Sequence, residues 1–230
     1  MRLMDKTRLG ASRGEPAAPQ AKEPARSGGG GRKVGRKPQG QDRTSGGFLD
    51  GQVLIAMPGI GDPRFERSVL MICVHDDGQA MAISLNRPLD GLTVPGLLQK
   101  LGMQADLVPP SPVLFGGPVE KVKGFVLHSD DYANDGSTQP VCEGVALTDT
   151  RDVLDALGDE MRRPRRWILA LGYAGWGPGQ LERELKEGVW LTCEPDDGLL
   201  FDHDYDAKWT RALGKIGVSA ERLSPEAGRA

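Results

Sequence analysis

A mixed α+β fold is what this 230-residue sequence predicts. About eight apolar, strand-like runs and four amphipathic helical stretches follow one another without regular βα alternation, which argues against a doubly wound parallel sheet. One pair of runs is joined by Asp76-Asp77-Gly78, a hairpin turn with glycine at the left-handed position. Neither an internal repeat nor a heptad pattern is present.

The elements follow in order. Order begins near Phe48, and Gly51 to Met57 reads as a strand that stops at Pro58. A loop from Pro58 to Arg67 leads into a second strand, Ser68 to His75, whose near-continuous apolar character predicts burial on both faces. Gln79 to Arg87 completes the hairpin, and Pro88 ends it. Thr93 caps a short helix carrying Leu97, Leu98 and Leu101, closed by Gly102. Strands follow over Val113 to Phe115 and Gly124 to His128, then a polar loop from Ser129 to Gln139, then a strand from Val141 to Leu147. Thr148 is placed to cap the next helix, with Asp149 and Asp152 in its first turn and Val153, Leu154, Leu157 and Met161 as its apolar stripe. Trp167 to Leu171 is a buried strand, and Leu181 and Leu185 lie one helical turn apart beyond it. Gly188 ends that helix, Val189 to Cys193 is a strand, and Asp196-Asp197-Gly198 turns into Leu199 to Phe201. Trp209, Leu213 and Ile216 mark a last helix, stopped by Gly217.

Charge is segregated along the chain. Residues 1–47 hold 11 Lys+Arg against 4 Asp+Glu, a net of +7, and contain Ser27-Gly28-Gly29-Gly30-Gly31 with hardly a large apolar residue. Such a stretch cannot bury enough surface to offset its ordering entropy, so it reads as a disordered basic Gly/Pro-rich tail. The other 183 residues hold 18 Lys+Arg against 28 Asp+Glu, a net of −10, and are long enough for one core without staples. That places the domain at 48–230. Cys73, Cys142 and Cys193 are scattered singly, which argues against a disulfide framework or structural zinc. Cys73, inside an apolar strand, reads as an inert buried thiol. No apolar run is long enough to span a bilayer, and no apolar stretch follows the basic start as in a secretory signal. A cytoplasmic protein with no membrane contact is the default expectation.

The segment richest in chemistry is Leu171 to Leu185, which sets Gly172, Gly175, Gly177 and Gly179 with Tyr173 and Trp176 in an apparent strand-to-helix joint. Pro178 stands where the first helical residue is expected. Exposed N–H groups here or at Gly116-Gly117-Pro118 suit an anion, and tight turns explain the same glycines equally well. Neither stretch matches a phosphate-binding loop or a dinucleotide fingerprint, so no cofactor is called for. Asp202-His203-Asp204 is the best local cluster for a metal, echoed by His128-x-Asp130-Asp131; neighbouring side chains on a strand point apart, which separates Asp202 from His203 and leaves only Asp202 and Asp204 able to share an ion, so no metal site is assigned. Ser68 and Ser84 lack a nucleophile elbow.

Four ordered blocks resemble the signature of the YqgE/AlgH family, bacterial proteins labelled transcriptional regulators with no agreed biochemical activity. They are Leu54-Ile55-Ala56-Met57-Pro58 with Asp62-Pro63-x-Phe65-x-x-Ser68-Val69; His75 with Asn86-Arg87-Pro88; Gly116-Gly117-Pro118-Val119 with Leu127-His128; and Gly172-Tyr173-Ala174-Gly175-Trp176-x-x-Gly179-Gln180-Leu181-Glu182-x-Glu184 with Trp190. The match runs from about Gly51 to the C-terminus. Ala82 stands where the family usually has glycine, and the basic tail lies outside the pattern. The resemblance implies a sheet bent into a pseudo-barrel with flanking helices.

Asp62, Arg67, Asn86, Gly116, Gly117, His128, Tyr173, Trp176, Gln180 and Glu184 are the candidate ligand-binding residues, with His75 and Glu182 beside them in the same blocks. If they converge, they form a pocket holding a general base and its hydrogen-bonding partners. Bland readings stand beside this one: an Asx-turn at Asp62, a strand closure at Asn86, a structural histidine at 128, a helix-surface pair of Glu182 with Lys186. Three functions compete. The favoured one is a cytosolic regulatory or interaction module with a protein or small-molecule partner. Direct DNA binding is opposed by the acidic core and by the absence of a helix-turn-helix; the tail alone supplies a log–log salt slope no steeper than about −6. An enzyme, or a small-molecule-binding protein with a polar pocket around residues 172–182, is the alternative.

Overall fold

The computed structural model describes residues 48–223. The stretch 1–47, expected to be disordered, lies outside them. Strands β1 (Val53–Ala56), β2 (Val69–His75), β3 (Ala80–Ser84) and β4 (Pro88–Thr93) lead into α1 (Val94–Lys100). Then come β5 (Pro112–Phe115), β6 (Val119–Ser129), β7 (Thr138–Cys142), β8 (Val145–Thr148), α2 (Arg151–Leu157) and β9 (Trp167–Trp176). The chain continues through α3 (Gln180–Lys186), β10 (Trp190–Cys193), α4 (Asp197–Phe201) and α5 (Lys208–Lys215). The fold is α+β, as expected, and its sheet curls into a half-barrel.

The sheet order is β10-β1-β2-β3-β9-β6-β8-β7, with β4 joined through β5 to β9. All pairings are antiparallel except β5 with β9. Alternation along the strands divides the core. Val53, Ile55, Val69 and Met71 face inward with Leu127 and Ala170, where α4 and α5 plug the curl with Leu199, Leu200, Trp209 and Leu213. On the other face, Leu54, Ala56, Leu70 and Ile72 meet Trp176, Leu181 and Trp190 under α3. A third cluster packs α1 and α2 on Val113, Val126 and Leu169. Burial of β2 on both faces follows from this double cover. Cys73 sits in it, its thiol pushed up to about 12 by burial.

Several elements differ from expectation. Pro88 begins a strand rather than ending one, because the first strand residue needs no ladder N–H. The run Val141–Leu147 is two strands folded over Glu143-Gly144. Helix α2 starts from Thr150, not Thr148; Thr148 closes β8, Asp149 pairs with Lys123 at 2.7 Å, and Met161 is solvent-exposed beyond the helix end. Strand β9 runs on through Gly172 to Trp176, so the supposed joint is mostly strand. Pro178 precedes α3 by two residues, and the N-cap is Gly179 at φ 67°. Leu199–Phe201 belongs to a short helix capped by Asp196, whose carboxylate accepts the Leu199 N–H at 2.8 Å. Thr93 caps α1 as predicted, accepting the Gly96 N–H at 3.2 Å.

Candidate functional site

The sequence-predicted residues fall into four places. At the start of α3, Trp176, Gln180 and Glu184 come together with Trp190 of β10. Glu184 Oε2 accepts the indole N–H of Trp176 and of Trp190, each at 2.8 Å, and Oε1 accepts Gln180 Nε2 at 2.8 Å. Gln180 Oε1 in turn accepts the Gly177 N–H at 3.2 Å. The two indoles stand edge to face at 5.9 Å, and Phe65 meets Trp190 edge-on at 5.7 Å. One carboxylate thus ties a strand end, a helix start and the sheet's edge strand. Nearby, Glu182 reaches His75 rather than Lys186: His75 Nε2 donates to Glu182 Oε1 at 2.8 Å while its Nδ1 accepts the Leu49 N–H at 2.9 Å. Accepting at Nδ1 leaves Nε2 as the ring's N–H.

Gly116, Gly117 and Tyr173 lie where β5 and the start of β6 cross β9. A Cβ on Gly116 would overlap the Gly172 carbonyl oxygen, and one on Gly117 the Tyr173 carbonyl carbon. These glycines exist for close backbone approach, with no N–H cradle open to an anion. The Tyr173 ring packs edge-on to Phe125 at 5.7 Å, and burial raises its hydroxyl pKa above the ordinary value.

His128 stands apart from the others and is fully buried. Its neighbours dictate one arrangement of protons. The Asn134 N–H donates to Thr138 Oγ1 (3.1 Å), Thr138 to Thr148 Oγ1 (2.9 Å), Thr148 to His128 Nε2 (2.9 Å), and His128 Nδ1 to the Ser129 carbonyl (2.8 Å). Burial lowers the imidazole pKa, partly opposed by the Ser129 carbonyl and by Asp131 and Asp130. Close by, Tyr132 donates to Asp152 at 2.6 Å; burial of Asp152 is outweighed by hydrogen bonds from Thr150, Tyr132 and Asn134, which bring it to about 2. His128 is a structural histidine here.

Asp62, Arg67 and Asn86 shape the loop between β1 and β2. Asp62 caps the 3-10 turn Pro63–Phe65, accepting the Arg64 N–H at 2.9 Å and pairing with the Arg64 guanidinium at 2.6 Å. Asn86 is a staple: its Oδ1 accepts the Val69 N–H and its Nδ2 donates to the Arg67 carbonyl, both at 2.9 Å. Arg67 between those contacts holds φ 51°, an unusual conformation for a residue with a Cβ. Its guanidinium lies over the Trp209 ring at 5.4 Å, and the indole N–H is fixed to the Ala56 carbonyl at 2.8 Å. The loop, helix α5 and residues 220–223 flank an open cleft of about 690 Å³ that Arg67, Ile60 and Trp209 line with Leu223. Sequence reasoning listed Arg67 but missed Trp209, whose helical spacing marked only core.

Two further groups lie outside the candidate binding residues. Lys208, fully buried, donates to the carbonyls of Leu199 (2.7 Å) and Leu200 (3.2 Å) at the end of α4, and burial lowers its pKa to about 8. Asp202 and Asp204 both pair with Arg211, at 3.0 and 3.2 Å, while His203 stacks on Tyr205. Among the described residues no three His, Cys, Asp or Glu side chains gather as metal ligands, and no helix is long and apolar enough to cross a membrane.

Comparison with known proteins agrees with this fold. Residues 53–221 match the family model described as AlgH-like. A UPF0301 protein of Caulobacter vibrioides is 58% identical over 190 residues, covering 82% of this chain and 97% of the relative. One from Rhodospirillum rubrum is 47% identical over 192 residues, covering 80% and 95%. The solution structure of the AlgH protein from Pseudomonas aeruginosa superposes with a TM-score of 0.64 at 35% identity, covering 83% of this chain and all of that one. A crystal structure of a Corynebacterium diphtheriae protein shares the fold at a TM-score of 0.54 and 22% identity. Four motif blocks, one curled sheet and these matches together place the chain in the AlgH-like family.

Proposed function

We propose that this chain is a regulatory interaction module that acts by binding, without turnover and without reading DNA sequence itself. The observation that carries this reading is that three of the signature's polar side chains, Glu184, His128 and Asn86, are saturated. Glu184 spends both oxygens on three N–H donors, His128 both ring nitrogens, and Asn86 both ends of its amide. A general base needs a lone pair facing substrate, and these face the protein. The acidic core repels a polyanion, and its helices of five to eight residues offer no recognition element. Among the described residues, the cleft between the 58–67 loop and α5 is open to a partner.

Fluorescence anisotropy with duplex DNA tests this reading. The full chain is expected to bind weakly, with affinity falling as salt rises at a log–log slope no steeper than about −6. A chain starting at Phe48 should not bind. Sequence-selective binding by that shorter chain would overturn the reading.

A further inference from the structure

The geometry points to the cleft beside Arg67 as a binding site for a small carboxylate with an apolar body and no more than one net negative charge. This rests on reading the chain as a binding module. About 690 Å³ is the size of a small-molecule site. Its walls are apolar where Pro58, Ile60 and Leu223 contribute. Its cation is Arg67, which makes no ion pair among the described residues. The Asp62 carboxylate next in the loop is already taken by Arg64.

Three features hold Arg67 ready. The guanidinium carbon lies over the Trp209 ring at 5.4 Å, and the indole is itself anchored through its N–H to Ala56. Asn86 grips the Arg67 carbonyl and so holds the left-handed backbone from which the exposed side chain reaches Trp209. Strain of this kind persists where the surroundings over-determine it. Held over an indole ring, the guanidinium keeps planar N–H donors that match the two oxygens of a carboxylate.

The size of the charge is set by the other side chains. Glu66 and Glu221 also line the cleft, and neither comes within ion-pairing distance of Arg67. They repel a second negative charge, so a polyphosphate is disfavoured and a monocarboxylate, or a zwitterion with an amine towards the glutamates, is favoured.

The test is a titration of the ¹⁵N-labelled full chain, followed at the Trp209 indole N–H. The probes are N-acetylphenylalanine, its neutral amide, inorganic pyrophosphate, and a tetrapeptide ending in phenylalanine. N-acetylphenylalanine should give a saturable shift, the amide none at the same concentration, and pyrophosphate less. Arg67→Gly, which keeps the left-handed backbone at ease, should weaken the acid at least about tenfold and leave the rest of the spectrum in place; Arg67→Lys should fall between, having lost the planar fork. Equal binding of acid and amide, an unchanged Arg67→Gly response, or no saturable shift would overturn the assignment. Tighter binding of pyrophosphate would move it to phosphates, and much tighter binding of the tetrapeptide to a protein C-terminus, each against the proposal. Because the indole readout does not involve DNA or the tail, this proposal and the reading beneath it fail separately.

Discussion

The start of α3 and the 58–67 loop each place a charged side chain against tryptophan, with opposite outcomes. Glu184 meets Trp176 and Trp190 through their N–H edges and, with Gln180 on its other oxygen, is used up. Arg67 meets Trp209 over the ring face, lines the cleft, and makes no ion pair among the described residues. The first arrangement joins three elements of the scaffold; the second leaves one group unspent where a concavity exists. A dense cluster of polar and aromatic residues in a sequence therefore marks, in this fold, where the framework is tied, and function is better sought beside it.

Substitution at the two sites separates them. Glu184→Ala leaves two largely buried indole N–H groups without an acceptor, at about 3 kcal/mol. In a protein of this size that corresponds to a fall of roughly 6–12 °C in melting temperature, read by calorimetry. A loss below about 1 kcal/mol would mean the clamp is dispensable and Glu184 free for other work.

His128 gives the next largest effect and extends the contrast to a third region. Its folded-state pKa is lowered by burial, so the unfolded chain takes up a proton first as pH falls. Stability from this group is complete above the unfolded value of 6.5 and is lost on acidification through that value towards the folded one. Between roughly pH 6.5 and 5.5 the loss is at most about 1.4 kcal/mol. Urea unfolding of wild type and His128→Gln should show this acid limb in the first and a flatter one in the second.

Arg67→Gly should matter least to stability. Relief of the left-handed backbone gains about 1 kcal/mol, and losing the stack on Trp209 costs about 0.5–1 kcal/mol, so the variant should melt close to wild type. A penalty as large as that of Glu184→Ala would erase the contrast and make Arg67 part of the framework.

The α+β class and most strand centres were legible because β1 is apolar throughout, β2 is apolar up to His75, and α1 and α5 carry clear stops at Gly102 and Gly217. What failed was punctuation. Glycine at 116, 117 and 172 suggested turning, whereas two backbones cross there, and spacing alone does not separate the two uses. Pro88 was read as a stop although a strand can begin on it. Among the candidate residues, Trp176, Gln180 and Glu184 do share one place. His128 and Arg67 do not join them, because strand pairing and not motif order decides neighbours. Nothing in residue types announced that Arg67 would hold φ 51°.

Strand β9 pairs with β3, β5 and β6, all of which precede it in the chain. During synthesis those three emerge first, each with one neighbour, β2, β4 or β8, to pair with and its other edge open until β9 follows. The last strand, β10, then closes on the first, β1. Assembly is thus back-loaded: no early sub-sheet can finish by itself, and a nascent chain stalled before Trp167 would expose just the ragged edges that invite association with other chains. For this protein the hazardous moment is birth, and any helper that shields nascent strands would have its greatest effect in that interval.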